Sequence, residues 1–432
     1  MLNISRMRIL FVNTSEHAGG AAIAAHRLMK ALNRNHVKAQ MLVRDRETTS
    51  PDVVTVRCKW LAKLKFLAER IGVLWANRFH TDRLFAVDPA FLGNDITRHP
   101  AFRKADIIHL HWVNQGMLSM SGLRKILRSG KPVVWTMHDM WPATGICHQA
   151  DTCDGWQQGC GFCPLLWKGG RMNDLSHRTY QRKKQVFGEG SSIRFVACSN
   201  WLADIARQSP LLARHTVVSI PNPIDTRFFA PGDRSEARSR LGLPLDKYIL
   251  LFVAYKATDK NKGIDYLREA VDIVCHRKPV LKEQLCVVPV GHEADTLKNS
   301  FACEACPQNY VSDEEVMRDL YHAADLLLMP TLMDNLPNTI VEAMACGIPC
   351  VGFRVGGLPQ MINHGKNGYL ADFRNAEDLA EGILQTLFTY SHTELSTAAR
   401  RSAVCNYSED AVAERYIDLY EEALDANQQN KG

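Results

Sequence analysis

The chain reads as an α/β protein of two Rossmann-like domains, each a doubly wound, mostly parallel sheet, and three observations carry that expectation. Short apolar runs bounded by polar loops recur along the sequence with helical patterns between them. The pattern restarts after "IPNPIDTRFFAPGDRSEARSRLGLPLDK", a connector rich in Pro, Arg and Asp. At 432 residues the chain also exceeds what one hydrophobic core usually supports.

Taken in order, "MRILFVN" (Met7–Asn13) is a buried strand, and the turn at Gly19 and Gly20 leads into the helical "GGAAIAAHRLMKAL", the opening of an α/β unit. "AQMLVR", "DIIHLHW", "PVVWTMH" and "RFVACS" supply the next strands. Beyond the connector come "YILLFVAY", "CVVPVG", "LLLMP" and "PCVGF". The expected boundaries are a first domain over 1–222, a linker over 223–245, a second domain over 246–407, and a C-terminal helix and tail over 408–432.

Composition narrows the function. With 46% hydrophobic and 23% charged residues the chain is an ordinary globular protein, which excludes a disordered or fibrous class. No run of eighteen or more apolar residues occurs, and the start lacks a signal peptide's small-residue cleavage site, so a cytoplasmic location is expected. The net charge of +6 is spread widely and gives no nucleic-acid footprint. Thirteen cysteines in a long cytoplasmic chain are expected to be reduced, buried or metal-bound.

In open α/β sheets, ligands bind outside the carboxyl ends of the strands. The strand "LLLMP" ends at Pro330, and "TLMDNLPN" carries Asp334 into a helix beginning near Asn338. The helix's free amides beside that loop suit an anion such as a diphosphate. Glu342 lies about one turn further in, where a carboxylate can accept paired hydrogen bonds from the vicinal hydroxyls of a ribose. The same Asp-helix-Glu spacing also arises for purely structural reasons.

The residues "DNLPNTIVEAMACGIPCVGFRVGGLPQMI" resemble the nucleotide-sugar signature of the retaining GT-B glycosyltransferases of family 4, and the cysteine-bearing loop "GICHQADTCDGWQQGCGFCPLL" resembles those of a subgroup of bacterial exopolysaccharide (colanic-acid-type) glycosyltransferases. The likeness extends to the start of the chain, to "IPNPIDTRFF", "KNKGIDYL", "YHAADLLLMPT" and "NHGKNGYL". It implies the GT-B fold, two such domains facing one another with the helix of "SEDAVAERYIDLYEEAL" crossing back to the first. It also implies a donor site made of Asp334, Asn335, Leu336, Pro337, Asn338, Thr339 and Glu342, in which Glu342 holds the ribose and Asp334, an Asp where most members carry Glu, touches the donor sugar. Lys262, before Gly263, matches the family's Lys-Gly, and Lys256 lies near a place where relatives have Arg; both would stabilise the leaving diphosphate. His138, at the end of "PVVWTMH", matches a histidine that approaches the donor sugar, and Gly19 and Gly20 match a Gly-rich loop that lets amides approach the diphosphate or acceptor. His109, His111, Trp112 and Asn114 fall at another strand end as acceptor-cleft candidates, or as packing.

The resemblance implies transfer from a UDP- or GDP-sugar to a glycan or lipid-linked acceptor in bacterial surface polysaccharide assembly, with retention of configuration and His138, Lys262 and Asp334 as the catalytic residues. Asp-x-Asp does not occur in the sequence, so no metal cofactor is expected to be required. A sugar-nucleotide epimerase and a non-catalytic nucleotide- or glycan-binding protein are the alternatives.

Two further features stand apart. Cys147, Cys153, Cys160 and Cys163 lie in a Gly-rich loop over 145–166, where four thiolates would suit a structural zinc and reduced packing thiols are the alternative. "KWLAKLKFLAERIGVLWANRFHTDRLF" is a helix candidate, apolar at Trp60, Leu61, Leu64, Leu67, Ile71, Leu74 and Trp75, with Lys59, Lys63, Lys65 and Arg70 between. Such a stripe can face a protein core, or lie peripherally on the anionic inner membrane where lipid-linked acceptors are found.

Overall fold

The computed structural model describes residues 7–56, 58–81, 83–189 and 193–429, the side chain of Lys59 excepted. The chain forms two compact units, one running to Pro223 and resuming at Val412, the other Ile224–Ala411.

The first unit is laid out as β1 (Arg8–Ser15), α1 (Gly20–Arg34), β2 (Lys38–Asp45), β3 (Val53–Thr55), α2 (Lys59–Ala76), α3 (Pro100–Lys104) and β4 (Ile107–Leu110). It continues with α4 (Met120–Leu127), β5 (Val133–Met137), α5 (Gly155–Gln158), α6 (Leu175–Gly188), β6 (Ile193–Ala197), α7 (Asn200–Gln208) and β7 (Thr216–Ser219). Its seven strands are all parallel in the order β3-β2-β1-β4-β5-β6-β7. Strands β4 and β5 are buried along their whole length, as expected for a parallel sheet covered on both faces. Helix starts follow local side-chain chemistry: Ser119 caps α4, Asp174 caps α6 and Ser199 caps α7, each accepting from first-turn amides.

The second unit contains α8 (Arg234–Leu241), β8 (Tyr248–Lys256), α9 (Ile264–Arg277), α10 (Leu281–Gln284), β9 (Leu285–His292), β10 (Glu304–Ala305), α11 (Glu314–Ala323) and β11 (Leu326–Met329). After these come α12 (Asn338–Ala345), β12 (Cys350–Phe353), α13 (Leu358–Met361), β13 (Gly368–Ala371), α14 (Ala376–Phe388) and α15 (His392–Tyr407). Six parallel strands take the order β10-β9-β8-β11-β12-β13. In both sheets the strand order reverses beside the first strand, so the crevices for ligands lie at the carboxyl ends of β1 and β4 in one unit and of β8 and β11 in the other.

The stretch expected as a linker is integral to the second unit. Its helix α8 sends in Arg238, whose guanidinium donates to the carbonyls of Ala323, Leu245 and Lys247 and to Asp325 Oδ2 at 2.8–3.1 Å. Asp325 also accepts from Ile249 N at 2.6 Å, tying α8 to the start of β8. A connector whose arginine fills its donors with the end of α11, the loop before β8 and Asp325 is part of that unit's packing.

The final helix, α16 (Glu409–Gln429), belongs to the first unit from Val412 onward. Val412, Ala413, Tyr416, Leu419 and Tyr420 pack in one core with Ile9, Phe11, Met41, Val134 and Val196. Two hydroxyls fix its rotation: Tyr416 Oη lies 2.8 Å from Thr136 Oγ1, and Tyr420 Oη lies 2.7 Å from His109 Nδ1. Tyr420→Phe should cost about 1 kcal/mol for the lost hydrogen bond, and Tyr420→Ala about 3–5 kcal/mol for the cavity as well. Urea unfolding of both variants checks the ranking; equal, negligible losses would show that α16 is not part of this core.

Candidate functional site

At the switch point of the second unit, three loops are laced together. The loop after β8 ends in Lys262 and Gly263, the loop after β11 carries Asp334, and the loop after β12 contains Gly356. Asn261 O accepts from Leu332 N at 2.8 Å and from Thr331 Oγ1 at 3.2 Å, and Asp334 O accepts from Gly357 N at 3.1 Å. Gly263 has φ 79° and a Cβ there would sit 1.8 Å from Pro330 O; Gly356 has φ 56° and a Cβ would sit 2.0 Å from Asp334 O. Neither position tolerates a side chain. Across this joint Lys262 Nζ donates to Asp334 Oδ2 at 2.6 Å, with the lysine side chain a third exposed.

Helix α12 begins at Asn338, with Pro337 at the N-cap position and no side-chain cap. Its start offers backbone donors and a partial positive charge on the same loop as Asp334. Asn335, Asn338 and Thr339 are half-buried there, while Leu336 and Pro337 are buried and hold the turn. Glu342, one turn in, is 8% exposed and accepts from Tyr321 Oη at 2.7 Å through Oε2. Tyr321, from α11, orients that carboxylate; nothing in the local sequence singles it out, because its partner is set by packing between helices. Lys256 stands apart from the Lys262–Asp334 joint in its contacts: its ion pair is with Glu293 at 2.9 Å, both side chains half exposed.

The first unit gathers a different set at the ends of β4 and β5. His138 Nε2 and His111 Nδ1 are 3.1 Å apart, and His138 Nδ1 lies 3.6 Å from Cys198 Sγ. Burial pushes His138 down to about 4, against the opposing pull of Asp139, so the ring is neutral at neutral pH. Burial likewise holds His109 and His111 well below the usual histidine range. His109 is not a cleft residue. It is fully buried between Thr136 and Tyr420, as the sheet's anchor for α16. Asp139 Oδ2 accepts from Trp112 Nε1 at 2.9 Å and pairs with His148 Nδ1 at 2.7 Å, while Oδ1 accepts from Trp141 N. Burial opposes its charge, yet His148 and these donors hold its carboxyl below the ordinary range. The sequence marks His148 only as a neighbour of the cysteines; its pairing with Asp139 is a tertiary result.

Gly19, at φ 89°, precedes α1 with no side-chain cap and open space where its Cβ would be. The adjoining Glu16 is buried and accepts from Glu47 N, Thr48 N and Thr48 Oγ1, which pins the first loop to the end of β2.

Among the described residues the group of three or more ligand atoms lying within 4.8 Å of one another is Glu16, His17 and His26; the four cysteines form no such group. Cys147 and Cys163 are buried and Cys153 and Cys160 half-buried, all as free thiols. Burial pushes Cys147 and Cys163 up to about 12 and Cys160 to about 11, which favours the neutral thiol. Beneath them Lys183 is fully buried, its Nζ donating to Trp141 O at 2.5 Å and Thr144 O at 3.0 Å and lying 3.4 Å from the Trp141 ring centroid. Burial lowers it to about 7.

These histidines set a pH dependence. His138 and His215 are pushed down to about 4, so between the usual histidine value of 6.5 and about 4 the unfolded chain binds protons that the folded chain refuses. Their contribution is full above about pH 6.5 and is lost as pH falls toward 4. The melting temperature should therefore drop across that window, with a shallower drop in His138→Gln; identical slopes in the two proteins would refute the assignment.

Residues 18–228 match the family model described as Glycosyltransferase Family 4, and residues 247–388 match that of Glycosyl transferases group 1. Among curated proteins, the D-inositol 3-phosphate glycosyltransferase of Thermobispora bispora is 27% identical over 220 residues, 48% of this chain and 51% of that protein. The matched region spans about half to three fifths of the length of such relatives. Among solved structures, sucrose-phosphate synthase from Thermosynechococcus elongatus aligns with TM-score 0.66 at 18% identity, covering 98% of this chain and all of that one. Anabaena HepE in complex with UDP and glucose aligns with TM-score 0.60 at 15% identity, covering 96% of this chain and all of that one. The strand order of both sheets, the returning α16 and the two family matches converge: the chain belongs to the GT-B glycosyltransferases of family 4.

Proposed function

We propose that the protein is a retaining glycosyltransferase that moves a sugar from a UDP- or GDP-sugar to a glycan or lipid-linked acceptor in bacterial surface polysaccharide assembly, on the cytoplasmic face of the inner membrane. The observation that carries the reading is the laced switch point of the second unit, which sets Lys262 and the uncapped start of α12 on one loop system with Glu342 behind it. A diphosphate arriving there meets an ammonium and oriented backbone amides, and the buried carboxylate of Glu342 suits ribose hydroxyls. HepE, of similar fold, is described in complex with UDP and glucose, and relatives named D-inositol 3-phosphate glycosyltransferase act, by that name, on a polyhydroxylated phosphate ester.

In this mechanism the acceptor hydroxyl attacks the anomeric carbon from the face the nucleotide leaves. The bond from that carbon to the phosphate oxygen breaks, the new glycosidic bond forms, and the departing phosphate oxygen takes the hydroxyl proton. Lys262 offsets the charge growing on the diphosphate, an electrostatic contribution that needs no metal ion. Asp334 positions Lys262 and faces the donor sugar. His138, neutral, supplies a hydrogen bond rather than a charge.

A panel of sugar nucleotides tested by thermal shift should pick out one UDP- or GDP-sugar, with the same shift in magnesium and in EDTA. Glu342→Ala should weaken that binding about tenfold or more, in line with about 1.5–3 kcal/mol for hydrogen bonds to a charged group. His138→Ala should bind donor normally and lower turnover. Sugar product released without acceptor would identify an epimerase, and binding without any turnover a non-catalytic protein.

A further inference from the structure

Helix α2 is built inside out. It buries Glu69 and Arg70, 1% and 4% exposed, and turns Trp60 and Trp75, 66% and 73% exposed, outward with Leu64, Leu67 and Ile71. Those five outward side chains fall within about 80° of arc at 3.6 residues per turn, a single stripe. The buried charges are paired: through its two terminal nitrogens Arg70 meets Glu69 at 3.2 Å and Asp88 at 3.3 Å and donates to the carbonyls of Leu84 and Val87, leaving Nε without a partner. The helix therefore sits in its proper rotation, and the apolar stripe is not a core face left uncovered by misplacement. The chain that follows adds two more exposed rings. Arg78 and Phe79 adopt φ 51° and 65°, unusual for residues with side chains, and Phe79 and Phe85 are exposed.

Among the described residues the exposed charge of this segment has one sign. Glu69 and Asp88 are turned inward, so among the described residues of 58–87 every exposed formal charge is a cation: Lys63, Arg78 and Arg83. A second copy docked face to face would set these cations against their own images. An anionic lipid surface satisfies both features, with apolar side chains entering the acyl boundary and cations at the headgroups. The tryptophans stand in the first and last turns of an 18-residue helix, where amphipathic rings anchor both ends at the interface. Among the described residues no helix is long and apolar enough to cross a membrane, so the contact would be in-plane.

We infer that the exposed face of α2, continued by Phe79 and Phe85, is a docking surface for an anionic phospholipid bilayer. The inference rests on the membrane-peripheral part of the proposed function and is independent of the donor chemistry in the second unit.

The test is flotation of the full chain with vesicles of phosphatidylcholine alone and of phosphatidylcholine mixed with phosphatidylglycerol, at low and high salt. Binding is expected to the mixed vesicles, weakening with salt and reduced about tenfold or more in a Leu67→Glu/Ile71→Glu double variant whose melting temperature and sugar-nucleotide binding are unchanged. Without mutation, brominated lipid should quench tryptophan fluorescence in the mixed vesicles. Absence of wild-type binding, binding that the double variant retains, or a wild-type dimer that the double variant dissolves would each overturn the inference. Vesicle binding as expected together with no response to any sugar nucleotide would leave this surface standing and remove the donor reading instead.

Discussion

Two backbone carbonyls pressed against glycines hold the candidate donor site in place. Pro330 O against Gly263 and Asp334 O against Gly356 bring three loops to distances that a methyl group would prevent. Because the approach is made by main chain, the relative positions of Lys262, Asp334 and the start of α12 are set before any ligand arrives. The Lys262–Asp334 pair is partly solvated and worth about 1 kcal/mol or less by itself. Its value is positional: a lysine held by a neighbouring carboxylate keeps its charge at the sheet edge instead of sampling solvent.

The first unit uses different physics. Its candidate residues sit over a buried aromatic and imidazole layer in which Phe11 stacks on His111, His109 packs tilted against both, and α16 supplies the two tyrosine hydroxyls. A neutral imidazole beneath a sheet edge can pass orientation through hydrogen bonds without carrying charge through the core. Thus His138 rests on His111, while the ionised carboxyl of Asp139 is held by Trp112, Trp141 and His148. Charge and neutrality are separated between adjacent residues, since Asp139 faces donors from three segments and His138 faces another imidazole and a thiol.

Much of this was legible in the sequence, for definite reasons. The long apolar runs became β1, β2, β4, β5, β6, β8, β9, β11 and β12, because a strand buried on both faces writes itself as continuous hydrophobicity. β3, β7, β10 and β13 are not legible in the same way, since their segments VVT, TVVS, EA and GYLA mix apolar with small or polar residues and offer no sustained apolar run. The loop of Asp334 and the helix of Glu342 were readable from motif and spacing; Tyr321 and His148 were not, because their roles arise from chain segments brought together only in three dimensions. His109 reads like its neighbour His111, yet one is a core anchor and the other joins His138. Periodicity located the apolar stripe of α2 and was silent on its direction, which depended on where Arg70 could find Asp88.

The return of α16 makes the second unit an insertion within the first, and this has a bearing on biosynthesis. A ribosome delivers β1 to β7 early, but Tyr416 and Tyr420, which close one face of that sheet, emerge only after the whole of the second unit. The unit that begins first is therefore finished last, and during the intervening synthesis its sheet shows Phe11, Met41 and Val134 to whatever chaperone or neighbour is present. The later unit, contiguous in sequence, can complete its own core in the meantime.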